Sequence, residues 1–171
     1  MLIEFLKWVE YIKLFRKLVK GDYVMEFDNY FKLEIEAKNI NESFARGVIA
    51  LFCTELKPTL SEINDIKTAV SEAVTNSIVH GYENKGGKII LEAGIKGNVL
   101  DIKVTDSGIG IDDIDMALQP FFTTKSDEEH SGMGFTLMDS FMSNLEVKRN
   151  EPNGLIVHMQ KVIKGYSFRW K

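Results

Sequence analysis

The 171 residues of this chain predict a two-layer α/β sandwich, a mixed, mostly antiparallel sheet with helices packed on one face. Three observations carry that reading. The predicted elements run strand, two helices, hairpin, long loop, helix, hairpin, which is not the strict alternation of a doubly wound fold. Both hairpins have turn chemistry between β-rich runs, and the second helix has start and stop signals at its two ends.

Residues 26 to 37, EFDNYFKLEIEA, alternate apolar and polar from Phe31 through Leu33, Ile35 and Ala37, as a half-buried strand should. NINESFARGVIALFCTEL follows, with Asn39 and Glu42 spaced as an N-cap and its reciprocal partner. Phe44, Val48, Leu51 and Phe52 then recur at helical spacing and predict the buried stripe of helix one. Helix two begins after Pro58, where Thr59 and Glu62 form a second capping box, and stops at Gly81. Its apolar stripe is Ile63, Ile66, Val70, Ala73, Val74 and Ser77. Glu72 and Asn76 fall on the opposite face, about 40° apart and one turn from each other, flanked by Asp65 and Val79.

KIILEAGI and NVLDIKVTD, separated at Lys96-Gly97, read as a hairpin. Residues 107 to 134 read as irregular, with Gly108, Gly110, Gly132 and Gly134 bracketing a polar section, and a loop of that length in a compact domain is usually a lid or disordered. A third helix starts near Gly134 or Phe135. LEVKRN and GLIVHMQKVI close the chain as a hairpin around Glu151-Pro152-Asn153-Gly154.

Composition bounds the function. With 44% hydrophobic and 27% charged residues the chain has the make-up of one soluble globular domain. A net charge of −4 offers no basic footprint for DNA or RNA. The single Cys53 forms no internal disulfide; it reads as a small half-buried hydrophobe and fits a reducing cytoplasm. Charge is uneven: residues 1 to 24 hold five basic and three acidic side chains among large apolar ones, against an acidic remainder. We divide the chain there into a basic amphipathic extension (1–24), a main domain (25–165) and a short tail (166–171). The extension lacks the apolar run of about 20 residues that a membrane span needs. It also has no small-residue cleavage site of the signal-peptide kind. It reads either as an amphipathic helix for a membrane or partner surface, or as an appendage upstream of a start at Met25.

Three short motifs could carry chemistry, and each has a plain alternative. Glu72 and Asn76 could act together, the amide oxygen ligating Mg²⁺ while the acid orients or deprotonates a nucleophile; otherwise they are a solvated helix face. Asp106, at a strand end, could accept a hydrogen bond from an adenine amino group, with Gly108 and Gly110 letting backbone and ligand approach; otherwise DSGIG is a turn. Gly132 and Gly134 precede a helix whose N–H groups could receive phosphate oxygens; otherwise they end a loop. Occurring in this order in one short domain, the three describe a nucleotide pocket.

ExxxN, DxGxG and the late GxG resemble the motif boxes of the gyrase, Hsp90, histidine-kinase and MutL ATPase superfamily. Within it, VSEAVTNSIVHGY, VTDSGIGI, QPFFTTK and SGMGF are similar to the anti-sigma serine kinases of Gram-positive bacteria, those of the sporulation sigma F type, from about Met25 to residue 162. The resemblance implies a Bergerat-type ATP-binding fold, ATP and Mg²⁺ as cofactors, and a cytoplasmic homodimer. Its partners would be a sigma factor and an anti-anti-sigma protein phosphorylated on serine. It makes Glu72 the general base, Asn76 the Mg²⁺ ligand and Asp106 the adenine ligand, with Gly108 and Gly110 against the base. Thr123, Thr124, Lys125, Gly132, Met133 and Gly134 belong to the ATP lid, and Arg46 and Thr75 to the partner surface.

The chain departs from that family at His130, where an arginine facing the γ-phosphate is usual. A largely neutral histidine cannot make the two-pronged guanidinium contact, so transfer would be slower or lean on Lys125. His80 reads as a residue complementing the end of helix two rather than as a phosphoacceptor. Two rival readings stay open: a binding module with negligible transfer, and a general-stress anti-sigma kinase of the same fold.

Overall fold

The structure, a computed structural model, describes residues 27–119 and 133–165. Among these residues five strands form one sheet in the order β1-β2-β3-β5-β4: β1 Asn29–Glu36, β2 Lys88–Lys96, β3 Val99–Asp106, β4 Asn144–Arg149 and β5 Leu155–Val162. Among the described residues every pairing is antiparallel, in keeping with the mostly antiparallel sheet expected. Two helices between β1 and β2 return the chain to pair antiparallel, the hairpins β2–β3 and β4–β5 supply two further reversals, and the β3–β5 pairing is made across the intervening helices and β4. Helices α1 (Asn39–Phe52), α2 (Leu60–Asn76) and α4 (Gly134–Phe141) cover one face, and α2 packs against both of the others.

Side-chain alternation along the strands sets the core. Ile89, Leu91, Ala93 and Ile95 of β2 lie opposite Asp106, Val104, Ile102 and Leu100 of β3, and the apolar members of both rows are buried beneath the helices. Asp106 therefore sits on the core side of the sheet, at the end of its strand. Ile66, Ala69, Val70, Ala73 and Val74 of α2 press onto this layer. Cys53 is fully buried, more than expected, its thiol donating to the Ala50 carbonyl at 3.2 Å; burial pushes its pKa up.

The capping box of α2 forms as predicted, with the Thr59 hydroxyl and the Glu62 carboxylate each bonding the other's backbone N–H. That of α1 does not. Lys38 occupies its N-cap with no side-chain bond, because the Glu42 carboxylate accepts from Ser71 on α2 and pairs with Arg46 instead. The expected stripe of α1 is borne out only at Phe52, which packs against the core: Ala45 and Ile49 are buried, whereas Phe44 and Leu51 are 51% and 75% exposed. A third departure follows α2, which widens at Ser77–Gly81 into a π turn. The extra residue per turn shifts the phase, so Val79 packs against the core instead of flanking Asn76. The region read as irregular contains a short helix, α3 (Ile114–Ala117), capped by the Asp113 carboxylate on the Met116 N–H. Among the described residues no helix is long and apolar enough to cross a membrane.

Candidate nucleotide site

The end of α2 builds most of the site. Glu72 and Asn76 project from its polar side, half-buried, as their spacing predicted. Gly134, the first residue of α4, comes directly against them: a Cβ there would lie 3.1 Å from Glu72 Oε2 and 3.2 Å from Asn76 Nδ2. The pair is thus brought to the N-terminus of α4, where Met133 occupies the cap position with no side-chain bond and the first-turn N–H groups are those a helix cannot satisfy internally. A carboxylate oxygen, an amide oxygen and orphan N–H donors in one place suit a hard cation accompanied by anionic oxygens.

One residue beyond Asn76, the helix turns to its second task. Ser77 is buried and donates to Asp106 Oδ2 at 2.9 Å. The Asp106 carboxyl, only 3% exposed, accepts on Oδ1 from the Gly108 N–H at 3.0 Å and the Leu155 N–H at 3.3 Å. A carboxylate offers about four acceptor positions, so three donors leave room for one more. That spare position fits an amino group of a base.

The glycines explain the close packing. A Cβ on Gly108 would lie 2.2 Å from the Gly81 carbonyl oxygen, which also accepts from the Ile109 N–H at 2.9 Å. Gly81 in turn has the Asp106 carboxyl where its Cβ would point, at 3.2 Å. Gly110 adopts φ +74° with the Gly154 backbone at 3.3 Å from its Cβ position. An open cleft of about 590 Å³ runs along this edge past Gly81, Tyr82, Gly108 and Ile109. Glu72 and Asn76 line no part of it.

Of the residues the sequence singled out, the structure brings Glu72, Asn76 and Gly134 together, and ties Asp106 and Gly108 to the same helix end. Arg46 is 43% exposed on α1, held by Glu42 at 3.4 Å and by Ser43 at 3.3 Å. Thr75 is half-buried on α2, and His80 lies in the last turn before Gly81. Thr123, Thr124, Lys125, His130 and Gly132 lie outside the described residues. Sequence reasoning assigned Ser77 to the core stripe and passed over Tyr82 and Asn150. Ser77 had a signal, being the one hydroxyl on an otherwise apolar stripe. Tyr82, whose hydroxyl accepts from the Ser107 N–H at 2.9 Å, and Asn150, which donates to the Asp106 carbonyl at 2.7 Å, had none.

The chain that carries this acid–amide pair and buried aspartate is similar to known proteins. Residues 35–161 match the model of the histidine kinase-like ATPase domain. An anti-sigma F factor of Clostridium kluyveri is 53% identical over 141 residues, 82% of this chain and 99% of the relative. Another, of Thermoanaerobacter sp. (strain X514), is 55% identical over 139 residues, 81% and 97% of the two chains. The chain belongs to the anti-sigma F factor family. Solved structures agree on the fold. The RsbU and RsbW domains of Rv1364c from Mycobacterium tuberculosis superpose with a TM-score of 0.56 at 18% identity, over 79% of this chain and 32% of that one. Full-length ShkA in complex with AMPPNP gives 0.51 at 15% identity, over 85% and 33%.

Proposed function

We propose that this protein is an ATP-dependent protein serine kinase that doubles as an anti-sigma factor: it holds a sigma factor of the sigma F type inactive, and phosphorylates an anti-anti-sigma antagonist on serine. The observation that supports it most is the approach of Gly134 to Glu72 and Asn76, which sets an acid, a metal-type ligand and a helix N-terminus around one small volume. Asp106 receives the adenine amino group, with Gly108 and Gly110 keeping backbone close to the base. Met133 and Gly134, with Thr123, Thr124, Lys125 and Gly132, close over the phosphates. Asn76 holds Mg²⁺ through its amide oxygen; the ion supplies charge neutralisation at the phosphates when bound.

Glu72 takes the proton of the antagonist's serine hydroxyl. The freed oxygen forms the new bond to the γ-phosphorus as the bond to the bridging oxygen breaks and ADP departs. Lys125 offsets the developing charge, and His130 does so less well than an arginine would. Arg46 and Thr75 belong to the surface that sigma factor and antagonist compete for. The family's homodimer, a cytoplasmic setting and sporulation as the context complete the reading, with residues 1–24 either an amphipathic helix for a membrane or partner surface or an appendage upstream of a start at Met25.

Incubation with γ-labelled ATP and the candidate anti-anti-sigma protein tests the proposal. Label on a serine of that protein, together with ATP-dependent capture of the sigma factor, is the expected result. Sigma-factor capture and ATP binding with no phosphoserine would reduce the protein to a binding module.

A further inference from the structure

The turn between β4 and β5 makes contacts with Asp106 that the reading above does not use. The β3–β5 ladder ends at the pair Thr105 and Ile156, so the carbonyl of Asp106 lies just past the last strand partner. Asn150 takes over there, its Nδ2 donating to the Asp106 carbonyl at 2.7 Å and lying 3.4 Å from Ser107 Oγ. The backbone N–H of Asn150 is itself bonded to the Gly154 carbonyl at 3.0 Å, which holds the turn closed. Gly154, at φ +105°, is pressed so near that a Cβ would stand 2.2 Å from the same Asp106 carbonyl oxygen. The next residue, Leu155, gives its N–H to the Asp106 carboxylate. Just before the turn, Arg149 at the end of β4 donates to the Asp112 carbonyl. One turn thus grips Asp106 by its main chain and by its side chain.

We infer that Asn150 is a positioning residue for the nucleotide base, acting through Asp106. The inference rests on the reading that Asp106 receives the adenine amino group. Asn150 reaches the carbonyl of Asp106 and one lone pair of its carboxylate is taken by the neighbouring turn, so the direction of the remaining acceptor position is set from outside the motif. Loss of Asn150 lets the strand end shift and weakens the contact that only an amino-bearing base can make.

Dissociation constants for ATP and inosine triphosphate, which lacks the amino group, separate this from a merely structural role. In Asn150→Ala, ATP binding weakens about fivefold while inosine triphosphate binding stays at the wild-type value, the loss expected for one hydrogen bond. Asn150→Asp, of equal size but with acceptors facing the Asp106 carbonyl, lowers the preference at least as far; Asn150→Ser serves if either variant fails to fold. Parallel weakening of both nucleotides, or an unchanged preference, overturns the inference. Asp106→Asn tests the reading beneath it. A preference for ATP that survives Asp106→Asn overturns the base assignment and this inference with it. A preference abolished in Asp106→Asn yet intact in Asn150→Ala overturns the inference alone.

Discussion

Around the end of α2 a single added methyl has nowhere to go, whereas the outward side of α1 carries Ile40, Phe44 and Leu51 at 75%, 51% and 75% exposure. The two regions belong to neighbouring helices of one sandwich. At the first, backbone meets backbone: Gly108 against Gly81, Gly154 against Asp106. At the second, Gly47 has no atom within 4 Å of where its Cβ would be. A ligand site needs residue types at exact places; a helix face turned to solvent needs only to remain helical.

The same substitution should therefore change sign between them. Gly108→Ala drives a methyl into the Gly81 carbonyl and, with no flexible side chain to yield, should cost at least about 3 kcal/mol in urea unfolding, with ATP binding lost. Next in size, Ser77→Ala removes a donor from the buried Asp106 carboxylate, and a loss of about 1.5–3 kcal/mol is expected, measured the same way. On α1, Gly47→Ala should stabilise by about 0.5–1 kcal/mol, since alanine favours the helix and the site is open. A destabilised Gly47→Ala would remove the contrast.

A comparable amount resides at the start of α2. Burial works to raise the Glu62 pKa, but hydrogen bonds from the Thr59 and Lys164 N–H groups and the Thr59 hydroxyl, with Lys161 nearby, outweigh it and hold the carboxyl below its usual value of 4.5. A depressed folded pKa contributes stability that is complete above the unfolded value and lost as pH falls through the folded one. Glu62→Ala should cost about 1 kcal/mol at pH 7, and the difference from wild type should shrink below pH 4.5 in thermal melts across that range. Smallest of all, Arg46→Ala should leave stability within about 0.5 kcal/mol while sigma-factor capture weakens, because its ion pair with Glu42 is partly exposed.

The contrast also explains what could be read in advance. The strands, both hairpins, the capping box of α2 and the grouping of Glu72 with Asn76 followed from periodicity and spacing. Each depends on neighbours in sequence. The stripe of α1 did not follow, because Phe44 and Leu51 are as apolar as Ile49 and only the partner helix decides which side is covered. The cap at Asn39 failed because Glu42 found Ser71, a residue 29 positions away. Likewise the π turn, and the bonds of Tyr82 and Asn150 to the loop after β3, are long-range or local-strain features that no spacing rule encodes. Asp106 and Gly108 were legible as a motif, but the donors that hold them were not.

Replacing Glu72 by glutamine tests the central claim most directly, since it removes the base while keeping size and hydrogen bonding beside Gly134. With γ-labelled ATP and the antagonist, Glu72→Gln should lower serine phosphorylation by at least about a hundredfold while Mg·ATP affinity stays within about threefold of wild type. Undiminished transfer in Glu72→Gln would contradict the account, as would loss of nucleotide binding in step with activity.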